Sequence, residues 1–159
     1  MRVLIVEDDV AVCSLAHKAF EEILSSNGDI QEVTTLERAV EKTENEDWDI
    51  ILLDLKMSPT TSVENTISYI PILSQHSLVI ILTGYDSPEI RRKAKAAGAI
   101  GFIAKDASLF QSRFSLAVRV VDALRNWNLP AQRLAENILT LENLVSYKLN
   151  SNAPVNTAA

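Results

Sequence analysis

Short apolar runs without polar alternation recur along this chain, and four of them end on a polar side chain of a particular kind. Residues 3–6 run into Glu7-Asp8-Asp9, residues 50–53 into Asp54, residues 78–82 into Thr83, and residues 100–104 into Lys105. Runs this rich in Val, Ile and Leu are what strands buried on both faces require. Between them the spacing changes to that of helices. Residues 10–25 place Cys13, Ala16, Phe20 and Ile23/Leu24 on one face, with Asp9 as a candidate N-cap and Asn27-Gly28 as the stop. A weaker strand is predicted over 29–34, a short polar helix over 36–44, and a turn over 45–49. Residues 58–62 read as a loop and Val63–Leu73 as a helix. Ser87-Pro88-Glu89 supplies an N-cap, a proline at the first helical position and an acidic first turn, with Ala97-Gly98 at the far end.

Strand followed by helix, repeated five times, predicts right-handed crossovers and a parallel sheet covered on both sides, a doubly wound α/β fold. In such sheets ligands bind outside the carboxyl ends of the strands, where the strand order reverses. The four polar ends are therefore expected to meet. Three carboxylates, a hydroxyl and an ammonium in one place suit a divalent cation beside a group that carries a phosphoryl. Residues 108–127, with Phe110, Phe114, Ala117/Val118, Val121 and Leu124 on one stripe, read as the final helix packed on the sheet. Asn128-Leu129-Pro130 breaks it. A further helix over 131–149 carries Leu134, Ile138, Leu141 and Val145, with Leu139 and Leu144 widening the stripe, and the tail from Ser151 is small and polar.

Composition narrows the class. The chain of 159 residues is 47% hydrophobic and 23% charged, enough for one domain with a core plus an appendage. Residues 1–106 hold 10 Lys+Arg against 18 Asp+Glu and residues 107–159 hold 5 against 3, giving the net charge of −6, which argues against nucleic acid as a partner. Apolar stretches of about five residues fall far short of the roughly 20 that span a bilayer, so no membrane segment is expected. The single cysteine, Cys13, and the absence of a signal-like N-terminus point to a cytoplasmic protein. Cys13 reads as a small core hydrophobe, His17 as a solvated surface residue, His76 as a loop residue, and Arg91-Arg92-Lys93 with Lys95 as a solvated helix face.

Residues 1–127 resemble the receiver domain of two-component response regulators. "VLIVEDD" is similar to that family's first strand and acidic pair, "DIILLDLKM" to its phosphoacceptor strand, "VIILTGY" to its switch-threonine strand, and "GAIGFIAKD" to its aromatic and lysine strand. The resemblance implies a flavodoxin-like sheet of order 2-1-3-4-5. It implies Asp54 as the phosphorylated aspartate, with Asp8 and Asp9 holding Mg²⁺ directly or through water and the backbone carbonyl of Lys56 completing the protein ligands. Oxygen donors of this kind suit Mg²⁺ better than zinc. Thr83 would hydrogen-bond a phosphoryl oxygen, the Lys105 ammonium would neutralise charge, and Phe102 would be the aromatic switch residue. Phe102 lacks the phenolic hydroxyl of the Tyr often found there. Two departures stand out. The loop after Met57 has Pro59 one place late and lacks glycines, and Lys105 is followed by Asp106 rather than the commoner proline.

The resulting expectation is a stand-alone receiver: domain 1–127, helical extension 128–150 and tail 151–159. It takes a phosphoryl group from a histidine kinase or phosphotransfer protein and acts through an unidentified downstream protein rather than DNA. The extension is a candidate homodimer element. Two alternatives stay open, a Mg²⁺-dependent phosphatase working through an aspartyl phosphate, and an interaction module independent of phosphorylation. The phosphatase would want a second acid two residues after the nucleophile, where this chain has Lys56.

Overall fold

The computed structural model describes residues 1–24, 28–59, 61–112 and 115–125, together with residues 143 and 146. In chain order the elements are β1 (Arg2–Val6), α1 (Val10–Leu24), β2 (Asp29–Val33), α2 (Leu36–Asn45), β3 (Ile50–Leu53) and α3 (Val63–Leu73). There follow β4 (Leu78–Thr83), α4 (Pro88–Ala97), β5 (Gly101–Ala104), a 3-10 turn (Ala107–Phe110) and α5 (Ser115–Arg125). Every strand pair is parallel and the sheet order is β2-β1-β3-β4-β5. This is the flavodoxin-like arrangement. The chain steps outward from β1 to β2 and then returns to β3 on β1's other side, so the reversal lies between β1 and β3.

Because side chains alternate across a strand, the continuous apolar runs feed two cores at once. Val3 and Ile5 of β1 join Cys13, Ala16, Phe20, Ala117, Val120 and Leu124 on the face covered by α1 and α5. Leu4 and Val6 join Leu36, Ala39, Ile70, Leu73 and Ala94 beneath α2, α3 and α4. Each fully buried Val, Leu or Ile side chain contributes about 1.5–3 kcal/mol, so the central strands are the least replaceable part of the molecule.

Helix boundaries follow side-chain chemistry. Thr35, Ser62 and Ser87 sit at N-caps with extended backbone, and each side-chain oxygen accepts from a backbone N–H, that of Arg38, Asn65 and Ile90 respectively. Pro88 occupies the first turn of α4 and Gly98 ends that helix at φ 117°, donating its N–H to the last turn. Asp9 caps α1 as expected, its Oδ1 accepting from Ala11 N–H at 2.8 Å and Val12 N–H at 3.2 Å.

The expected single helix over 108–127 is two elements. Asp106 caps a 3-10 turn, accepting from the N–H groups of Ser108 and Leu109, and the chain bends again before α5 begins at Ser115. Phe110 accordingly leaves the apolar stripe and is 52% exposed, while Leu109 takes the buried place. The helix expected over 131–149 and the tail from Ser151 lie, residues 143 and 146 aside, outside the described residues. Among the described residues, no helix is long and apolar enough to cross a membrane.

Candidate functional site

The reversal between β1 and β3 brings Glu7, Asp8 and Asp54 together. Val6 pairs with Leu53 in register, and Asp54 N–H donates to Val6 O at 3.0 Å, so the residues that follow the two strands emerge side by side. One carboxylate oxygen from each of Glu7, Asp8 and Asp54 lies within 4.8 Å of the others. Glu7 is 1% and Asp54 5% exposed. Asp8, by contrast, faces solvent.

Lys105 answers this charge. It follows β5, its N–H donates to Thr83 O at 2.9 Å, and its Nζ lies 2.5 Å from Glu7 Oε2 and 2.9 Å from Asp54 Oδ2. The one ammonium is thus ion-paired with both buried carboxylates. Asp54 Oδ1 is buried and has no hydrogen-bond partner among the described residues. An unpartnered buried carboxylate oxygen is costly, and a hard cation or a phosphoryl group would resolve it. Burial is the main influence on the Glu7 carboxyl and lifts it above the usual carboxylate range, aided by the Asp54 charge and opposed by Lys105. Burial would lower the Lys105 ammonium, yet Glu7 and Asp54 outweigh it and the net shift is upward.

Asp9 does not join this group. Its carboxylate is exposed and committed to the first turn of α1. The acid that the structure places beside Asp8 and Asp54 is instead Glu7, the first of the three consecutive acids. Glu7 Oε1 also accepts from Asp9 N–H at 3.1 Å, which holds the acidic turn in shape. Three carboxylates with hard oxygen donors, one of them carrying an unpartnered oxygen, fit Mg²⁺.

Thr83 closes β4 and is fully buried, its Oγ1 accepting from Tyr85 N–H at 3.3 Å. That bond uses a lone pair and leaves the hydroxyl hydrogen as a donor. Lys56 is partly exposed between buried Leu55 and Met57, and its Nζ reaches Pro59 O at 3.5 Å. The loop beyond, poor in glycine, is tied by Ser58, whose Oγ lies 3.0 Å from Thr61 Oγ1.

Phe102 pairs with Ile81 across β4 and β5 and is half-buried under the Arg91 guanidinium, 4.4 Å from its ring centroid. Arg91 is in turn fixed by Asp86 through contacts of 2.5 and 2.7 Å. Arg91, Arg92 and Lys95 are exposed, as a solvated face requires, and Arg91 in addition covers the Phe102 ring. His17 departs from expectation. It is partly buried, with Nδ1 2.5 Å from Glu32 Oε1. Cys13 lies in the core and its thiol is pushed up to about 12, chiefly by burial.

Comparison with known proteins bears on the family and the fold. A cyclic di-GMP phosphodiesterase of Thermotoga maritima is 33% identical over 127 residues, 79% of this chain but only 32% of that protein. The chain thus spans about a third of that relative's length. Solved structures share the fold. The signal receiver domain of a putative LuxO repressor protein from Vibrio parahaemolyticus superposes with a TM-score of 0.59 at 24% identity, covering 94% of this chain and 95% of that one. The chemotaxis protein CheY4 of Vibrio cholerae gives 0.61 at 18% identity, covering 77% and 97%. A response regulator from Thermotoga maritima gives 0.62 at 17% identity, covering 78% and 97%. With residues 3–112 matching the response regulator receiver domain, the chain belongs to that family.

Proposed function

We propose that this receiver domain is phosphorylated on Asp54 with Mg²⁺ bound by Asp8, Asp54 and the Lys56 backbone carbonyl, Glu7 acting directly or through water. The observation that carries the reading is the buried, unpartnered Asp54 Oδ1 among carboxylates, with Oδ2 held by Lys105. One oxygen is steadied and the other is available. In the transfer, an Asp54 oxygen bonds to phosphorus as the bond from phosphorus to the donor's nitrogen breaks, and the donor's imidazole ring, already protonated on its other nitrogen, leaves neutral with the bonding electron pair. Mg²⁺, when bound, supplies charge neutralisation at the transferring group. Lys105 adds a second positive charge and the Thr83 hydroxyl donates to a phosphoryl oxygen. Such chemistry is mostly positioning and electrostatics, which a site of fixed carboxylates and one ammonium provides.

The donor is a histidine kinase or phosphotransfer protein. Output passes through protein contact, for which the half-buried Phe102 and its Arg91 cover are the candidate switch elements. Lys56, where a phosphatase of the aspartyl-phosphate type would want an acid, speaks against that enzyme reading. The phosphodiesterase name of the Thermotoga relative describes a protein about three times as long as the matched region.

Incubation with acetyl phosphate and Mg²⁺, followed by intact-mass measurement, tests the reading. A single phosphoryl adduct is expected. Turnover of varied phosphomonoesters would favour the phosphatase, and no mass change would favour a module that signals without phosphorylation.

A further inference from the structure

Lys105 has a long flexible stem, so the reach of its ammonium to Asp54 depends on how the backbone on either side is held. Its own N–H is tied to Thr83 O. The residue before it and the residue after it are both held by one side chain from α5. Arg119 Nη1 donates to Ala104 O at 2.9 Å, and Nη2 donates to Asp106 Oδ1 at 2.9 Å and Oδ2 at 3.2 Å, and also to Ser108 Oγ. Asp106 Oδ1 simultaneously accepts from Ser108 N–H at 2.9 Å and Leu109 N–H at 3.2 Å, and Leu109 is fully buried. The guanidinium therefore links the end of β5, the turn after Lys105 and the core-anchored α5. The residue after Lys105 is a carboxylate, and the restraint on this turn comes from a side-chain clamp.

We infer that Arg119, with Asp106, is a positioning residue for the phosphoryl reaction, fixing the Lys105 backbone so that the ammonium meets Asp54. An exposed ion pair alone would be a weak device. Here the planar fork of arginine serves a backbone carbonyl and a carboxylate at once, and a displacement of about 1 Å at a reacting group costs up to ~100-fold in rate. Lysine, a point charge, could not bridge both. Arg119 touches none of the reacting atoms and acts only through Lys105. The inference rests on the phosphoacceptor reading above.

The test compares phosphoryl uptake from acetyl phosphate with Mg²⁺ for wild type, Arg119→Gln, Lys105→Ala and the double variant, each checked for an unchanged melting profile. Arg119→Gln is expected to slow uptake about tenfold, in line with the loss of supporting contacts around other reactive sites. Asp106→Asn, which keeps the cap but weakens the pair, is expected to slow it about two- to threefold, intermediate between wild type and Arg119→Gln. In the Lys105→Ala background, Arg119→Gln is expected to have no further effect, which a general structural role would not produce. A wild-type rate in Arg119→Gln, or an equal loss in both backgrounds, overturns the inference. If wild type itself takes up no phosphoryl, the phosphoacceptor reading is what fails. The clamp is then judged by hydrogen exchange at the Lys105 amide, which must quicken in Arg119→Gln and, if unchanged, refutes it.

Discussion

At the scale of single residues, the site is a balance between crowded carboxylates and one ammonium. Glu7 and Asp54 meet Lys105 and Asp8 lies beside them, so without a cation the carboxylates outnumber the ammonium. Asp54→Asn is expected to abolish phosphorylation and leave the fold intact, with a metal-free denaturation midpoint at or above that of wild type, because one repelling charge is gone. Mg²⁺ at ten times its dissociation constant is expected to stabilise wild type by about 1.4 kcal/mol and Asp54→Asn by much less, read from urea titrations with and without the metal.

Glu7 gives a pH prediction. A carboxyl raised by burial above its ordinary value of 4.5 binds its proton more tightly folded than unfolded. The stability it contributes is therefore full below that ordinary value and is lost as pH climbs through the raised one. Metal-free wild type is expected to lose stability relative to Glu7→Gln across that window and then to level off. A difference that moves the other way contradicts burial as the leading influence. The sequence made three consecutive acids visible, but it could not show which of them face Asp54. That choice is made by the Val6–Leu53 register, which a run of acidic letters does not reveal, and by the N-cap role already expected of Asp9.

At the scale of elements, the strands were the most legible part, since unbroken apolar runs have few other uses. The cap at Ser87 and the stop at Gly98 carried local chemistry that fixed their helix. The error over 108–127 has a physical origin. Phe110 and Phe114 continue the spacing of α5, so periodicity could not distinguish one helix from a turn followed by another. The capping power of Asp106 decided it. Gly98 yields the element-scale prediction. At φ 117° a side chain is strained, and a Cβ there would lie 2.7 Å from Ser74 Oγ between α3 and α4. Gly98→Ala is expected to cost about 1–2 kcal/mol from the backbone alone, seen as a lower urea midpoint with phosphorylation retained. A neutral result would mean that the helix end relaxes without strain.

At the scale of the whole molecule, the fold places four strand ends and their polar residues at one rim. The apolar stripe in the sequence over 131–149 would leave several Leu, Ile and Val side chains in water unless something covers them, and a second copy of this chain is the cover we favour. Sedimentation of the full chain is expected to give a dimer at tens of micromolar, and a version ending at Asn128 a monomer. Monomers in both would contradict a dimer formed through residues 131–149.

The central claim is that Asp54, and no other acid in the cluster, receives the phosphoryl. Peptide mapping of wild type after acetyl phosphate treatment, with and without Mg²⁺, tests it most directly. The account predicts one labelled peptide containing Asp54, labelling that depends on Mg²⁺, and no label in Asp54→Asn. A phosphoryl found on Glu7, Asp8 or Asp9, or a wild-type level of label without the metal, would contradict it.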